Sequence, residues 1–374
     1  MLKNFHRIFS IVASVILVFL ILVGLSWHYV SNEGEQLSRI PEAKISRGAG
    51  GAFLPTRDAV QWGLAAINAP AAWHVTTGSA EIVVAVIDSG IDYTVPELSA
   101  MMWKNPGEVP GNGVDDDKNG YVDDVFGWDF RDDDPSSLTG TPLYWHGTFV
   151  AGLIAATFSP FTGTGGVAPG IRIMDLRFLD SRGFFYTSDW DKLIRAIDYA
   201  VENGARIINL SIYSSVIPPA AVQRALRRAV EKGVLVVGIA GNAGSRVGYF
   251  GRWPEVVAVG AVDEEGRVPS FSNQGPEVAL SGPGVDVVSL GPSGLPRTAS
   301  GTSFAAPYVA GVAALLLSIS PDLSPAELVV FLKGTARDLG KPGSDYGTGA
   351  GLVDAAAAVE AVRLSIGKSE IFSE

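Results

Sequence analysis

The sequence predicts an α/β domain built in three layers, a mostly parallel sheet with helices on both faces. Three observations carry this. Four short runs, "IVVAVID" (82–88), "RIINLSI" (206–212), "VLVVGIAGN" (234–242) and "VVAVGAV" (256–262), are dominated by Val, Ile and other apolar residues, the pattern of strands buried on both faces. Segments of helical periodicity lie between and after them, and strand–helix alternation builds parallel sheets because a crossover returns the chain to the same end. With 374 residues, 47% hydrophobic and 18% charged, the chain holds enough apolar material for a large core.

In chain order, the first signal is a run of 18 uncharged residues from Ile8 to Leu25, preceded by Lys3, His6 and Arg7. As a helix it would span roughly 27 Å, close to the hydrocarbon thickness of a bilayer, with the cationic flank on the cytoplasmic side. Residues 1–30 therefore read as a transmembrane anchor. The alternative is a signal segment cleaved near Gly24-Leu25-Ser26, a weak cleavage site. An anchored chain is single-pass, with everything that follows on the extracytoplasmic side of the cell membrane; a cleaved one is secreted. Residues 31–57, polar and Gly-rich ("RGAGGAFLP"), read as a linker. The domain is expected over 58–365, and 366–374 as a tail without signal.

Inside the domain, "DWDKLIRAIDYAVENG" places Leu193, Ile197, Ala200 and Val201 on one helical face, with Gly204 as the stop. "SPAELVVFLKGTA" opens on Ser324 as cap, Pro325 at the first helical position and Glu327 closing a capping box. "HGTFVAGLIAA" from His146 and "SFAAPYVAG" from Ser303 read as buried helices. Pro307 falls early enough in the second to cost little hydrogen bonding.

The formal net charge of −11 argues against nucleic acid as a partner. The absence of cysteine removes disulfides, thiolate nucleophiles and Cys-type zinc sites. The negative charge is concentrated, with nine aspartates against Lys118 and Arg131 in residues 115–134. In "DDDKNGYVDD", Asp115, Asp117 and Asn119 alternate, Gly120 supplies a sharp turn and Tyr121 can offer its carbonyl, the first half of an EF-hand-like pattern. Phe126 stands where a closing Glu would be, which leaves Asp123 or Asp124 to complete the shell. A structural calcium ion held by Asp115, Asp117, Asn119, Tyr121 and Asp124 is the expectation.

In open α/β sheets, sites form beyond the carboxyl ends of strands, beside helix N-termini. Asp88 ends one predicted strand and Asn242 another, while His146 and Ser303 begin helices. A serine hydroxyl is a poor nucleophile until an oriented base takes its proton, and Ser303, His146 and Asp88 are the residue types that do this. Asn242 could donate its amide to a developing oxyanion, and Gly301 lets a carbonyl approach the backbone. Each residue has a plainer role taken alone: a helix cap for Ser303, a turn for Asp88, a helix start for His146, a loop for Asn242. Their convergence on one sheet edge is what makes the catalytic reading. His74 follows no strand end and is taken as structural.

"VAVIDSGID" around Asp88, "HGTFVAG" at His146, "GIAGNAG" at Asn242 and "SGTSFAAPYVAG" at Ser303 resemble, in order, the four signature blocks of the subtilisin-like serine proteases. The likeness covers about 58–364 and includes "GGVAPG" (165–170), "FSNQGPEVALSGPGVDVVS" (271–289) and "GAGLVDAAAAV" (349–359). It implies hydrolysis of polypeptide substrates by a serine endopeptidase through an acyl-enzyme. By matching motif, Asp88 orients the histidine, His146 is base then acid, Ser303 attacks and Asn242 completes the oxyanion hole. It also implies that "NLSIYSS" (209–215) and the stretch Arg182 to Phe185 line the substrate channel, making Gly183, Ser211 and Tyr213 substrate-binding positions.

The sequence departs from the family pattern in places. Phe149 replaces the second histidine usual in the histidine block, and Tyr213 stands where glycine is common, so a ring would narrow or cover the primary pocket. The stretch between the apolar run and Asp58 is shorter than the chaperone-like prodomain family members usually carry, and calcium binding and tethering could take over its help. The alternative function is a protease fold with an occluded channel, acting as a binding or scaffolding module. A related acid-acting family that keeps "SGTS" predicts neither the His146 block nor Asn242. A nucleotide site at "GTGGVAPG" does not directly follow a strand.

Overall fold

The computed structural model describes residues 61–371. The expected N-terminal anchor or signal (1–30), the linker (31–57) and the first residues of the expected domain lie outside the described residues, as does the end of the tail.

Seven strands form one parallel sheet: β1 (Val83–Asp88), β2 (Gly127–Asp129), β3 (Arg172–Arg177), β4 (Ile207–Leu210), β5 (Leu235–Ile239), β6 (Val256–Val262) and β7 (Val278–Pro283). Their order is β2-β3-β1-β4-β5-β6-β7, every neighbouring pair parallel. A small antiparallel pair, β8 (Val287–Leu290) and β9 (Pro296–Ala299), lies apart. The four runs predicted from sequence are β1, β4, β5 and β6, adjacent at the middle of the sheet. There both faces are covered, which favours apolar side chains, with Asn209 in β4 and Asp88 at the end of β1 as buried polar exceptions. The flanking strands were not legible: β2 is three residues long, β3 reads "RIMDLR", and β7 contains Ser281, Gly282 and Pro283.

Six helices of ten or more residues stand among the described residues: α1 (His146–Ala155), α2 (Trp190–Glu202), α3 (Ala220–Glu231), α4 (Thr302–Ile319), α5 (Pro325–Gly334) and α6 (Ala355–Ile371). One apolar core joins α1 and α4 to one sheet face, and a second joins α2 and α3 to the other, which makes the three layers. In α2, Leu193, Ile197 and Ala200 are buried as their spacing predicts, while Val201 is half-buried. The predicted capping box opens α5, where Ser324 Oγ accepts the Glu327 N–H and Glu327 accepts the Ser324 N–H. α6 continues to Ile371, past the expected domain end at 365. α4 is long and apolar enough to cross a membrane, but it is a core helix, with Thr302 to Leu317 buried without a break.

β1 pairs with β3 on one side and β4 on the other, so the strand order reverses at β1. Ligand sites in such sheets form beyond the carboxyl end at this reversal, where Asp88 stands. α1 meets the loop after β1 at bare backbone. A Cβ on Gly147 would lie 2.4 Å from the Gly90 carbonyl oxygen, so glycine is what lets His146 approach Asp88.

Candidate active site

β1 delivers Asp88 fully buried at its end. One carboxylate oxygen accepts the Ser89 N–H at 2.7 Å, and the two oxygens lie 2.8 and 2.9 Å from His146 Nδ1. An ionised carboxylate only accepts, so Nδ1 carries the proton of this contact, and in the neutral ring Nε2 is left as an acceptor. Ser89 locks the histidine's helix to the same turn. Its hydroxyl donates to the Tyr144 carbonyl and accepts the Gly147 N–H, both at 2.9 Å.

Ser303 is the second residue of α4, after Gly301 as N-cap. Its Oγ and His146 Nε2 are both buried without a hydrogen-bond partner. Leaving a buried polar atom unpaired costs about 1–3 kcal/mol, a cost that folds retain at working sites. The two atoms are complementary, a hydroxyl that can donate and an imidazole nitrogen that can accept. Their helices pack together, with the Phe304 ring beside Ser303 lying 5.2 Å from the imidazole.

Pro307 sits inside α4, deeper than the sequence suggested, and lacks an N–H for the carbonyl four residues back. That carbonyl is Ser303's own. Ser211 supplies the missing donor through its hydroxyl at 3.0 Å, and Ser211 Oγ in turn accepts Asn209 Nδ2 at 2.9 Å. Ser211, expected as a substrate contact, is buried, with its side chain bracing the Ser303 backbone.

Asn242 follows β5. Its Oδ1 accepts the Thr302 N–H and the Thr302 hydroxyl, both at 2.7 Å. A backbone N–H can only donate, so this contact identifies the oxygen and turns Nδ2 the other way. Nδ2 lies over Gly301, where a Cβ would stand 3.3 Å from it. Thr302 also accepts the Gly241 N–H at 3.2 Å. Sequence reasoning missed Thr302, whose role shows only once β5 and α4 are side by side.

Behind Asp88, in register with it on β3, Arg177 is fully buried. Its guanidinium donates to the carbonyls of Ser137 (3.1 Å), Thr141 (2.8 Å) and Pro142 (3.2 Å), in the segment that leads to His146, and lies 3.1 Å from Asp129. Burial pushes the Asp129 carboxyl up to about 6 and the Asp175 carboxyl up to about 7, with Arg177 pulling both partly back.

The sequence profile described as the subtilase family matches residues 79–351. The chain belongs to the subtilase family of serine endopeptidases. It is 40% identical over 248 residues to the thermophilic serine proteinase of Bacillus sp. (strain AK1), covering 66% of this chain and 55% of that one. It is 33% identical to thermitase of Thermoactinomyces vulgaris, covering 77% and 92%, and 34% identical to subtilisin of Bacillus pumilus, covering 80% and 99%. The chain spans about half the length of the Bacillus AK1 proteinase and of halolysin from Haloferax mediterranei, and nearly all of thermitase and subtilisin.

In this subtilase the positions expected to line a channel are distributed as follows. Gly183, at φ 77°, forms a tight turn closed by its N–H to the Asp180 carbonyl. Its bare α-carbon faces Tyr144, whose ring a Cβ would meet at 2.7 Å. Of the two aromatics expected beside it, Phe185 is turned into the core against Phe178 and Trp190, because that apolar layer lies beneath the turn. Phe184 is half-buried under Arg182. Tyr213 is half-buried, with one ring edge against Gly241 and Gly248.

In the acidic loop, Asp115 and Asp117 come together with Glu108, each offering an oxygen within 4.8 Å of the others. Glu108 lies upstream of the aspartate run and was missed for that reason. The other expected ligands make contacts around these three. Asn119 Oδ1 accepts the Tyr121 N–H, and Asn119 Nδ2 donates to Asp117 and Asp124. Asp124 is buried and accepts from Asn105, Asn119 and Tyr199, with burial raising its carboxyl above the ordinary range. The Tyr121 ring packs edge-on against Trp128, Phe130 and Tyr199.

Proposed function

We propose that this subtilase cleaves peptide bonds of polypeptide substrates through an acyl-enzyme on Ser303. The observation that carries the proposal is the buried His146–Asp88 contact, paired with two unpartnered atoms, His146 Nε2 and Ser303 Oγ. Ser303 Oγ attacks the carbonyl carbon while Nε2 takes its proton, and Asp88 stabilises the imidazolium that forms. The carbonyl oxygen becomes an oxyanion held by Asn242 Nδ2 and by the positive end of α4. Collapse of the intermediate expels the amine, which leaves with the proton from His146. Water repeats the sequence and frees the acid. Hydrogen bonds between base and nucleophile are often long before substrate binds and tighten in the complex.

With an activated ester, the full chain is expected to release about one equivalent of alcohol in a burst before steady turnover, as acyl-enzyme accumulates. Ser303→Ala abolishes the burst, and His146→Ala slows turnover by about 10⁶-fold. A folded wild-type chain with no burst and no peptide hydrolysis would favour the binding-module reading instead.

We also propose a structural calcium ion at the acidic loop, with Glu108, Asp115 and Asp117 as its central carboxylates. Three carboxylates are the hard oxygen donors this cation takes. From Ile8–Leu25 we infer single-pass attachment with the protease domain outside the cytoplasm. Fractionation of cells making the full chain and a chain lacking 1–30 tests this, with only the longer form expected in membranes.

A further inference from the structure

We propose that Tyr213 sets the specificity of this subtilase by filling the space where the side chain of the acyl residue would go, so that the enzyme cleaves after Gly, Ala and Ser. The inference rests on the assignment of Ser303 as nucleophile and Asn242 as oxyanion donor. If the carbonyl carbon sits on Ser303 Oγ and its oxygen on Asn242 Nδ2, the adjoining α-carbon is one bond away and its side chain needs room beside Asn242.

The wall at that point is bare backbone. Gly241 precedes Asn242, and Gly248 closes the same loop through its N–H to the Ala240 carbonyl at 2.8 Å. Two glycines facing one space make a slot, yet the slot is occupied. The same edge of the Tyr213 ring, Cδ2 and Cε2, reaches both residues. A Cβ on Gly241 would lie 2.8 Å from these atoms and a Cβ on Gly248 2.9 Å. The bare α-carbons are therefore what admits the ring, and the ring takes the volume a large side chain would use. A methyl or hydroxymethyl group needs none of it. Shape selection of this kind is set by the filled volume, so the phenol oxygen is not required.

The test is kcat/KM for a series of peptides that differ only in the acyl residue, Ala, Leu or Phe, with the full chain. Wild type is expected to prefer Ala over Phe by about 100-fold or more. Tyr213→Gly should open the slot and raise kcat/KM for the Phe peptide about tenfold or more, while Tyr213→Phe keeps the wild-type order. Equal cleavage after Ala and Phe by wild type would overturn the proposal without any variant being made. An unchanged Ala/Phe ratio in Tyr213→Gly, with an undiminished ester burst showing an intact nucleophile, would overturn it too. If wild type cleaves none of the peptides and gives no burst, the nucleophile assignment itself falls, and this proposal with it.

Discussion

Asn242 shows how much chemistry a single side chain can hold when its other end is tied. Because Oδ1 takes both donors of Thr302, the amide has one fixed orientation, and in the proposed role of oxyanion donor it would need no reorganisation as charge develops. Asn242→Ala is accordingly expected to lower kcat about 10²–10³-fold with little change in KM; a loss confined to KM would mean that Asn242 only binds substrate. At this scale the sequence was informative about the four groups assigned to the proposed site, since each stands in a motif. It was silent about their supports. Thr302, Asn209 and Ser89 are small polar residues like many others in the chain, and their roles depend on neighbours up to about a hundred positions away, as Ser211 and Ser303 show. Glu108 was missed because it stands upstream of the aspartate run it joins.

At the scale of elements, the central strands and the periodic helices could be read from pattern, whereas β3 could not, because its charges cancel only in space. Asp175 and Arg177 on β3 and Asp129 on β2 lie in one buried layer, facing the Ile91 N–H from the loop after β1 and the carbonyls that Arg177 holds. A period-based reading sees charged residues there and rejects a strand. The layer also has a pH signature. A carboxyl whose folded value is raised to about 7, as for Asp175, above an unfolded value near ~3.9, contributes stability that is complete below about pH 4 and lost as pH rises through about 7. Unfolding free energy should therefore fall between about pH 5 and 7, by up to about 1.4 kcal/mol per pH unit for each proton released. Asp175→Asn is expected to flatten that slope in denaturant titrations run across the window. Parallel slopes for variant and wild type would show that Asp175 does not hold its proton in the fold.

For the whole molecule, a parallel sheet collects residues distant in sequence at one rim because all its strands end on the same side. Asp88, Ser211 and Asn242 arrive from three strands, and α1 and α4 bring His146 and Ser303 down onto them. The class of architecture was legible because it follows from strand–helix alternation. The order of strands was not, since no local pattern records which strands are neighbours. The acidic loop is a second long-range feature, tying residues 105–124 to α2 through Tyr199 and Asp124. If calcium occupies it, chelation should lower the melting temperature by several degrees, and added calcium, but not magnesium, should restore it; an unchanged melting temperature would remove the ion from the account. The central claim, that Asp88 and His146 turn Ser303 into a nucleophile, is tested most directly by treating the folded full chain with a fluorophosphonate and locating the adduct by mass spectrometry. The account predicts one adduct per chain, on Ser303, absent in Ser303→Ala and strongly slowed in His146→Ala. An adduct on any other residue, or none on a folded chain, would contradict it.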